Sequence, residues 1–420
     1  MEETHRYLTS HRDLLLNLCN EHGTPLYVYD AGIIERQYKK ITNAFTSVPL
    51  KVKYACKALN NQAILKVMKR LGSGLDAVSI EEVQLGLLAG FTPDDILYTP
   101  NGVSFNEIKQ AVELGVKINI DNISILEQFG HQYGSKVPCC IRINPHIMAG
   151  GHAHIQTGHI DSKFGISIYQ LRHVDRIIKN YNIRVNGLHL HTGSDILDPS
   201  VFLRVADLMF ETAQAYPDLE FIDFGSGFKV AYKDNDVVTD IADIGKQVSK
   251  RFNEFSKTYG RSLELMFEPG KFLVSECGFL LVQVNILKQT LSTVFAGVNS
   301  GQNHLIRPMF YDAYHHIENI SNPDGQPRIY TVVGYICETD TLGYDRKISE
   351  IREGDILAIA NAGAYGYTMS NNYNSRLRPA EVLIDPEASG GSARIIRRRE
   401  TINDLLRNQV EAEEEVNSEK

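Results

Sequence analysis

Between residues 30 and 275 the chain carries eight short apolar runs, each but the last followed by an amphipathic stretch. The runs are KVKYACK (51–57), GLDAVS (74–79), ILYTPN (96–101), KINIDN (117–122), CCIRINP (139–145), VNGLHLHTG (185–193), FIDFGSG (221–227) and ELMFEPG (264–270). Segments between them, such as NNQAILKVMKRLG and SIEEVQLGLLAG, repeat apolar residues at three- and four-residue spacing, the period of a helix with one buried face. Buried strands alternating with helices imply a parallel sheet, and eight such units predict a closed, TIM-like (β/α)8 barrel over residues 30–275. Most runs end on a polar or chemically unusual residue: Lys57, Asp76, Asn101, Asp121, Arg142, His191, Gly227 and Glu268. The carboxyl ends of barrel strands are where such folds place their active sites.

After residue 275 the texture changes. FLLVQVNILKQT, RIYTVVGYICE and DILAIANAGAY are β-rich and broken by Gly, Pro, Asn and Asp, which predicts a mostly antiparallel β domain over 276–395. The early run PLYVYD (25–30) precedes the barrel pattern and is expected to join it. A charged, weakly helical tail follows from 396 to 420, and its arginine triplet, Arg397, Arg398 and Arg399, reads as solvated surface.

At 420 residues the chain exceeds what one hydrophobic core can serve, which agrees with two domains. A net charge of −8 without a basic stripe argues against nucleic-acid binding. No run approaches the ~18 apolar residues of a membrane span. Six scattered cysteines without metal-ligand spacing read as reduced thiols, and the N-terminus lacks a signal-peptide pattern. A cytoplasmic protein without a metal site is expected.

The strand ends carry a particular chemistry. Lys57 closes an apolar strand; it could snorkel to the rim, or, if desolvated, give up its proton and form a Schiff base. Glu268, in FEPG, could hold a pyridine nitrogen protonated and so make the ring an electron sink. Gly225 and Gly227, in DFGSGF, allow close backbone approach to a phosphate, aided by the start of a following helix. His189 and His191 share a strand face in HLHTGS, with Ser194 in the turn; a histidine there could lie on a cofactor ring or be an ordinary core residue. Each signal alone is weak, but all of them meet at one barrel mouth.

YACKA, GLDAVSIEE, HLHTGS, the glycine turn and EPG resemble the alanine-racemase-like (fold type III) pyridoxal-phosphate enzymes. TGHIDSKFGI (157–166), HLIRPMFYDAYH (304–315), ICETD (336–340) and NAGAYGYTMSNNYNSRLRPAEVL (361–383) narrow the resemblance, over roughly residues 25–385, to the diaminopimelate decarboxylase family. The resemblance implies pyridoxal 5'-phosphate bound through Lys57, with His191 on the ring and Glu268 at the pyridine nitrogen. Ser194, Gly225, Gly227 and the turn of Glu268, Pro269, Gly270 and Lys271 would hold the phosphate, with the Tyr373 hydroxyl added. Asp76 would position Lys57, and Arg142 would sit near the phenolic oxygen. Arg307, Tyr311, Tyr365 and Lys271 form the implied substrate group, Tyr365 and Lys271 touching the cofactor as well. Cys337 is implied as proton donor and Glu338 as ligand of the substrate's far amine. Both would reach the site from the partner subunit of a homodimer.

Plainer readings stand beside these. Cys337 follows VVGYI and on burial statistics alone would be an inert core thiol. Arg307 could be a surface ion pair, and YGYTMSNNY a polar loop. Two departures from the family pattern concern the substrate: Lys271 replaces the arginine that usually follows EPG, and CETDTLGYDR replaces the commoner CES-G-D form. The implied reaction is decarboxylation of meso-2,6-diaminopimelate to L-lysine. Alternatives are a decarboxylase of ornithine, lysine or another basic amino acid, a racemase, which would need a tyrosine where ICETD stands, and a non-catalytic cofactor-binding regulator.

Overall fold

The structure, a computed structural model, describes residues 2–147, 161–387 and 393–410. It divides into two compact units, one of residues 31–277 and one of residues 1–30 with 278–420.

The first unit is a closed barrel of eight parallel strands: β2 (Leu50–Ala55), β3 (Gly74–Ala77), β4 (Ile96–Tyr98), β5 (Lys117–Ile120), β6 (Cys139–Asn144), β8 (Val185–His189), β9 (Phe221–Asp223) and β10 (Glu264–Phe267). A short strand, β7 (Ile166–Ser167), is appended to β6. Closure is complete because β10 pairs with β2, Leu265 beside Leu50, and β5 pairs with β6, Ile120 beside Ile141. Strands covered on both faces read as unbroken apolar runs, which is why β6 and β8 are buried along their whole length. Helices start within a few residues of the strand ends under capping side chains. Asn61 accepts the Ala63 N–H, Ser79 the Glu82 N–H, and Asn122 the Ser124 and Ile125 N–H groups. These caps satisfy amides that the helices cannot, and they keep the loops above the barrel short.

The second unit is a mixed, mostly antiparallel nine-stranded sheet. Its centre is the long β11 (Gly278–Gln289), flanked by β1 (Leu26–Asp30) and by β12 (Val294–Val298). Outward from β12 lie β14 (Arg328–Val333) and β15 (Thr341–Ile348). Outward from β1 lie β17 (Ala380–Ile384), parallel to it, and β18 (Ala393–Arg397). A branch of β16 (Ile356–Ile359) and β13 (Ile317–Asn319) leaves β11. Two helices, Glu2–Ser10 and Arg12–His22, precede β1 and were not anticipated.

The arginine triplet is a correction. Arg397, in β18, pairs with the buried Glu381; Arg398 pairs with Asp404 at 2.6 Å, and Arg399 donates to the Pro25 carbonyl at 2.8 Å. Arg397 and Arg399 fasten distant chain segments together, whereas Arg398 stays exposed, as the sequence suggests. Among the described residues no helix is long and apolar enough to cross a membrane, and no disulfide joins the six cysteines.

Candidate active site

In the barrel unit the first candidate lies just beyond its strand. β2 stops at Ala55, and Lys57 sits in the short turn Cys56–Ala58 that follows. Lys57 is exposed, so desolvation is not what shapes it. The buried lysine is Lys53, only 1% exposed, whose ammonium donates to the Asp95 carbonyl at 2.8 Å and whose pKa burial brings down to about 8. In KVKYACK the sequence alone does not separate the two. Lys57 instead acts on the carboxylates around it. Asp76, at the end of β3, is pushed up to about 8 by burial and by Glu268, and Lys57 opposes that shift.

Glu268 follows β10 and is joined to His189, the last residue of β8, by a 2.9 Å contact between Oε2 and Nε2. Both side chains are buried. Burial pushes the Glu268 pKa up, but His189, Lys57 and His191 together outweigh it and hold the group near 2. His191 lies two residues past β8, where its Nδ1 accepts the Ser226 N–H at 3.2 Å. Burial, with the charges of Arg142 and Lys57, takes its pKa to about 3, so the ring is neutral. Arg142, in β6, is 7% exposed and lies 4.8 Å over the Phe164 ring.

The glycine turn packs tightly against the loop after β8. Gly225 has φ +59°, and a Cβ there would meet His191 Nδ1 at 2.7 Å; Gly227 has φ +135°, and its Cβ would meet the Gly193 carbonyl at 2.8 Å. Ile196 N–H donates to the Gly227 carbonyl at 2.8 Å, which sets half-buried Ser194 and the turn side by side in the chain path. The expected helix dipole is absent: after β9 the next helix is Ile241–Tyr259, capped by Asp240. Anion binding here therefore falls to backbone amides and side chains. Gly270 closes the EPG turn against β2, where a Cβ would stand 3.1 Å from those of Ala55 and Ala58. Lys271 Nζ lies 2.5 Å from Asp195 Oδ1, a partner sequence reasoning missed. Asn101 and Asp121 hydrogen-bond to each other and line, with Asn119 and Lys163, a cavity of about 420 Å³ beside the ends of β4 and β5. Of TGHIDSKFGI, residues 157–160 lie outside the described residues.

The remaining candidates belong to the other unit. Arg307 is 9% exposed, its guanidinium 5.7 Å from the Tyr311 ring and 5.9 Å from that of Tyr365. It is thus no surface ion pair but a cation set among aromatic faces. Cys337 and Glu338 are both exposed, which overturns the buried-thiol reading of Cys337. Glu338 accepts hydrogen bonds from Tyr373 Oη and Gln302 Nε2, each at 2.9 Å, so the Tyr373 hydroxyl is directed at this carboxylate. Beneath them Asp340, fully buried, accepts the Gln302 and Ile336 N–H groups at 2.5 and 2.8 Å and so ties the loop that presents Cys337 to the segment of Gln302.

The barrel cluster suits pyridoxal phosphate. Glu268 Oε1 is buried and accepts no hydrogen bond among the described residues. An unmatched buried carboxylate oxygen is costly, and a protonated ring nitrogen is the donor that would complete it. The glycine turn adds backbone that approaches closely without side chains in the way.

Barrel, lysine, carboxylate and glycine turn define a pyridoxal-phosphate-dependent decarboxylase, and the family profile described as "Pyridoxal-dependent decarboxylase, pyridoxal binding domain" matches residues 31–275. A diaminopimelate decarboxylase of Methanothermobacter thermautotrophicus is 39% identical over 94% of this chain and 93% of its own length. That of Pseudomonas fluorescens is 38% identical over 91% and 92%. The crystal structure of the Helicobacter pylori enzyme complexed with L-lysine superposes with a TM-score of 0.86 at 32% identity, covering 96% of this chain and 100% of that one. The chain belongs to the diaminopimelate decarboxylase family.

Proposed function

We propose that this protein removes CO2 from meso-2,6-diaminopimelate to give L-lysine, serving lysine biosynthesis as a cytoplasmic homodimer with shared active sites. The observation that carries the reaction class is Glu268, a buried carboxylate held ionised with one oxygen unengaged. Near full-length likeness to diaminopimelate decarboxylases supports the substrate.

Bound pyridoxal phosphate supplies an electron sink for the pair of electrons left when CO2 departs. Lys57 carries the cofactor through its amine, with Asp76 beside it. Glu268 Oε1 keeps the proton on the ring nitrogen, and neutral His191 lies on the ring without adding charge. Arg142 faces the phenolic oxygen. Ser194, Gly225, Gly227 and the turn Pro269–Gly270 hold the phosphate. Arg307 binds the carboxylate at the far end of the substrate, between Tyr311 and Tyr365, and Glu338 binds the far amine. Cys337 Sγ delivers a proton to the α-carbon; a thiol is a competent general acid near neutrality. The exposure of Cys337 and Glu338 on their own unit supports service to a partner's site.

CO2 release from meso-diaminopimelate, lysine, ornithine and arginine, measured side by side, tests the reading. Turnover confined to diaminopimelate is expected; ornithine or lysine turned over equally well would overturn the substrate assignment.

A further inference from the structure

Glu268 presents its two oxygens unequally. Oε2 is 2.9 Å from His189 Nε2, and Oε1 has no partner among the described residues. His189 itself is fully buried, and its Nδ1 likewise has no partner among the described residues. Asp223, on the neighbouring strand β9, is equally buried; its Oδ1 accepts the Gly225 N–H at 2.8 Å. One polar atom from each of His189, Asp223 and Glu268 lies within 4.8 Å of the others. An ion at that spot would have to displace the His189–Glu268 hydrogen bond.

A buried imidazole is a poor space filler, because each polar nitrogen left unmatched costs stability that an apolar side chain would not. Its presence calls for a task. Burial lowers the pKa of the ring and Glu268 opposes that shift, and because a carboxylate oxygen only accepts, the 2.9 Å contact puts a hydrogen on Nε2. We propose that His189 is a positioning residue for Glu268: by donating Nε2–H to Oε2 it fixes the carboxylate's rotation and leaves Oε1 aimed at the ring nitrogen. Resting on the reading of this cleft as the cofactor site, the proposal divides the two histidines of HLHTGS. His191 attends the ring face, and His189 attends the carboxylate beyond it. The nearby Asp223 carboxyl has its pKa pushed well up by burial and by Glu268.

The test compares full-length wild type with His189→Gln, His189→Asn and His189→Leu. Its readouts are the pyridoxal-phosphate dissociation constant and, separately, kcat and KM for CO2 release. Glutamine carries an N–H about as far from the backbone as Nε2, whereas asparagine stops at the Nδ1 position. Loss of a hydrogen bond to a charged group should lower kcat about ten- to a hundredfold in the Leu and Asn variants, with weaker cofactor binding and little change in KM. Gln should recover most of both losses. The proposal is overturned if Asn equals wild type, if Gln is no better than Asn, or if KM rises while kcat holds. Should Leu not fold, the Gln–Asn comparison decides alone. Wild type that neither binds pyridoxal phosphate nor is fixed to it at Lys57 by borohydride would instead sink the reading of the cleft.

Discussion

Lys271 Nζ stands 2.5 Å from Asp195 Oδ1, so the lysine that replaces the family's usual arginine is bonded to the residue next to Ser194. Two uses of Lys271 compete. It could reach the substrate's far carboxylate, or it could brace the turn that holds the phosphate. The Asp195 contact favours bracing. Lys271→Ala and Asp195→Ala should then each weaken pyridoxal-phosphate binding, and the double variant should be little worse than either single one. A coupling of roughly 0.5–1 kcal/mol suits a partly buried pair. Additive losses, with KM for diaminopimelate rising only in Lys271→Ala, would return the lysine to the substrate.

Lys57 is the proposed attachment point of the cofactor. Borohydride treatment of the purified protein should bleach its yellow colour and leave the cofactor mass on the peptide containing Lys57. Lys57→Ala should retain weak cofactor binding through the glycine turn and lose turnover. A label on the buried Lys53, or anywhere else, would break the assignment.

Cys337 offers a test of the shared site. Lys57→Ala and Cys337→Ala should each be inactive, and mixing them should restore part of the activity, because one site of each mixed dimer keeps both residues. Subunit exchange has to be shown in the same sample. With exchange present and no recovery, Cys337 serves its own chain or none.

Buried histidines make the fold acid-sensitive. Burial, with the charge of Arg307, depresses the His315 pKa to about 3, and burial takes His304 to about 4. The unfolded chain takes up these protons below about pH 6.5 while the folded chain refuses them. Stability is therefore whole above pH 6.5 and falls as the pH drops toward those values, by up to about 1.4 kcal/mol per pH unit for each group. His315→Gln should lose less stability than wild type between pH 7 and pH 5 in urea titrations. An unchanged difference would mean that His315 charges freely in the folded state.

The barrel was legible because its strands are covered on both faces, so burial imposed continuous apolar runs that helices interrupt at regular intervals. Helix caps such as Ser79 and Asn122 punctuated it further. The N-terminal helices were not legible: Glu2–Ser10 is polar and buries only Leu8. Strand-end residues such as Asp76 and Glu268 stood out because a purely apolar strand has no use for them. Their partnerships did not stand out. His189 and Glu268 are 79 positions apart and meet only because strands β8, β9 and β10 lie side by side. Lys53 is buried within β2 and Lys57 exposed in the turn after it, a difference that no local pattern in KVKYACK encodes. Burial statistics alone mislead at Cys337 because VVGYI, before it, belongs partly to a strand and partly to the loop that Asp340 secures.

Strand β1 is hydrogen-bonded on one side to β11 and on the other to β17, partners that begin at Gly278 and Ala380. On a ribosome, these neighbours do not yet exist when β1 emerges. At roughly 5–20 residues per second, β17 follows β1 by about 20 to 70 seconds. The whole barrel is synthesised in that interval. Its eight strands need nothing from outside residues 31–277 to close their ring, so they can complete it co-translationally. The first thirty residues must wait, their apolar strand without a partner until β11 emerges and with one edge open until β17 follows. Nascent chains stalled before Ala380 should thus leave the β17 edge of β1 open to chaperones while the barrel is already protease-resistant.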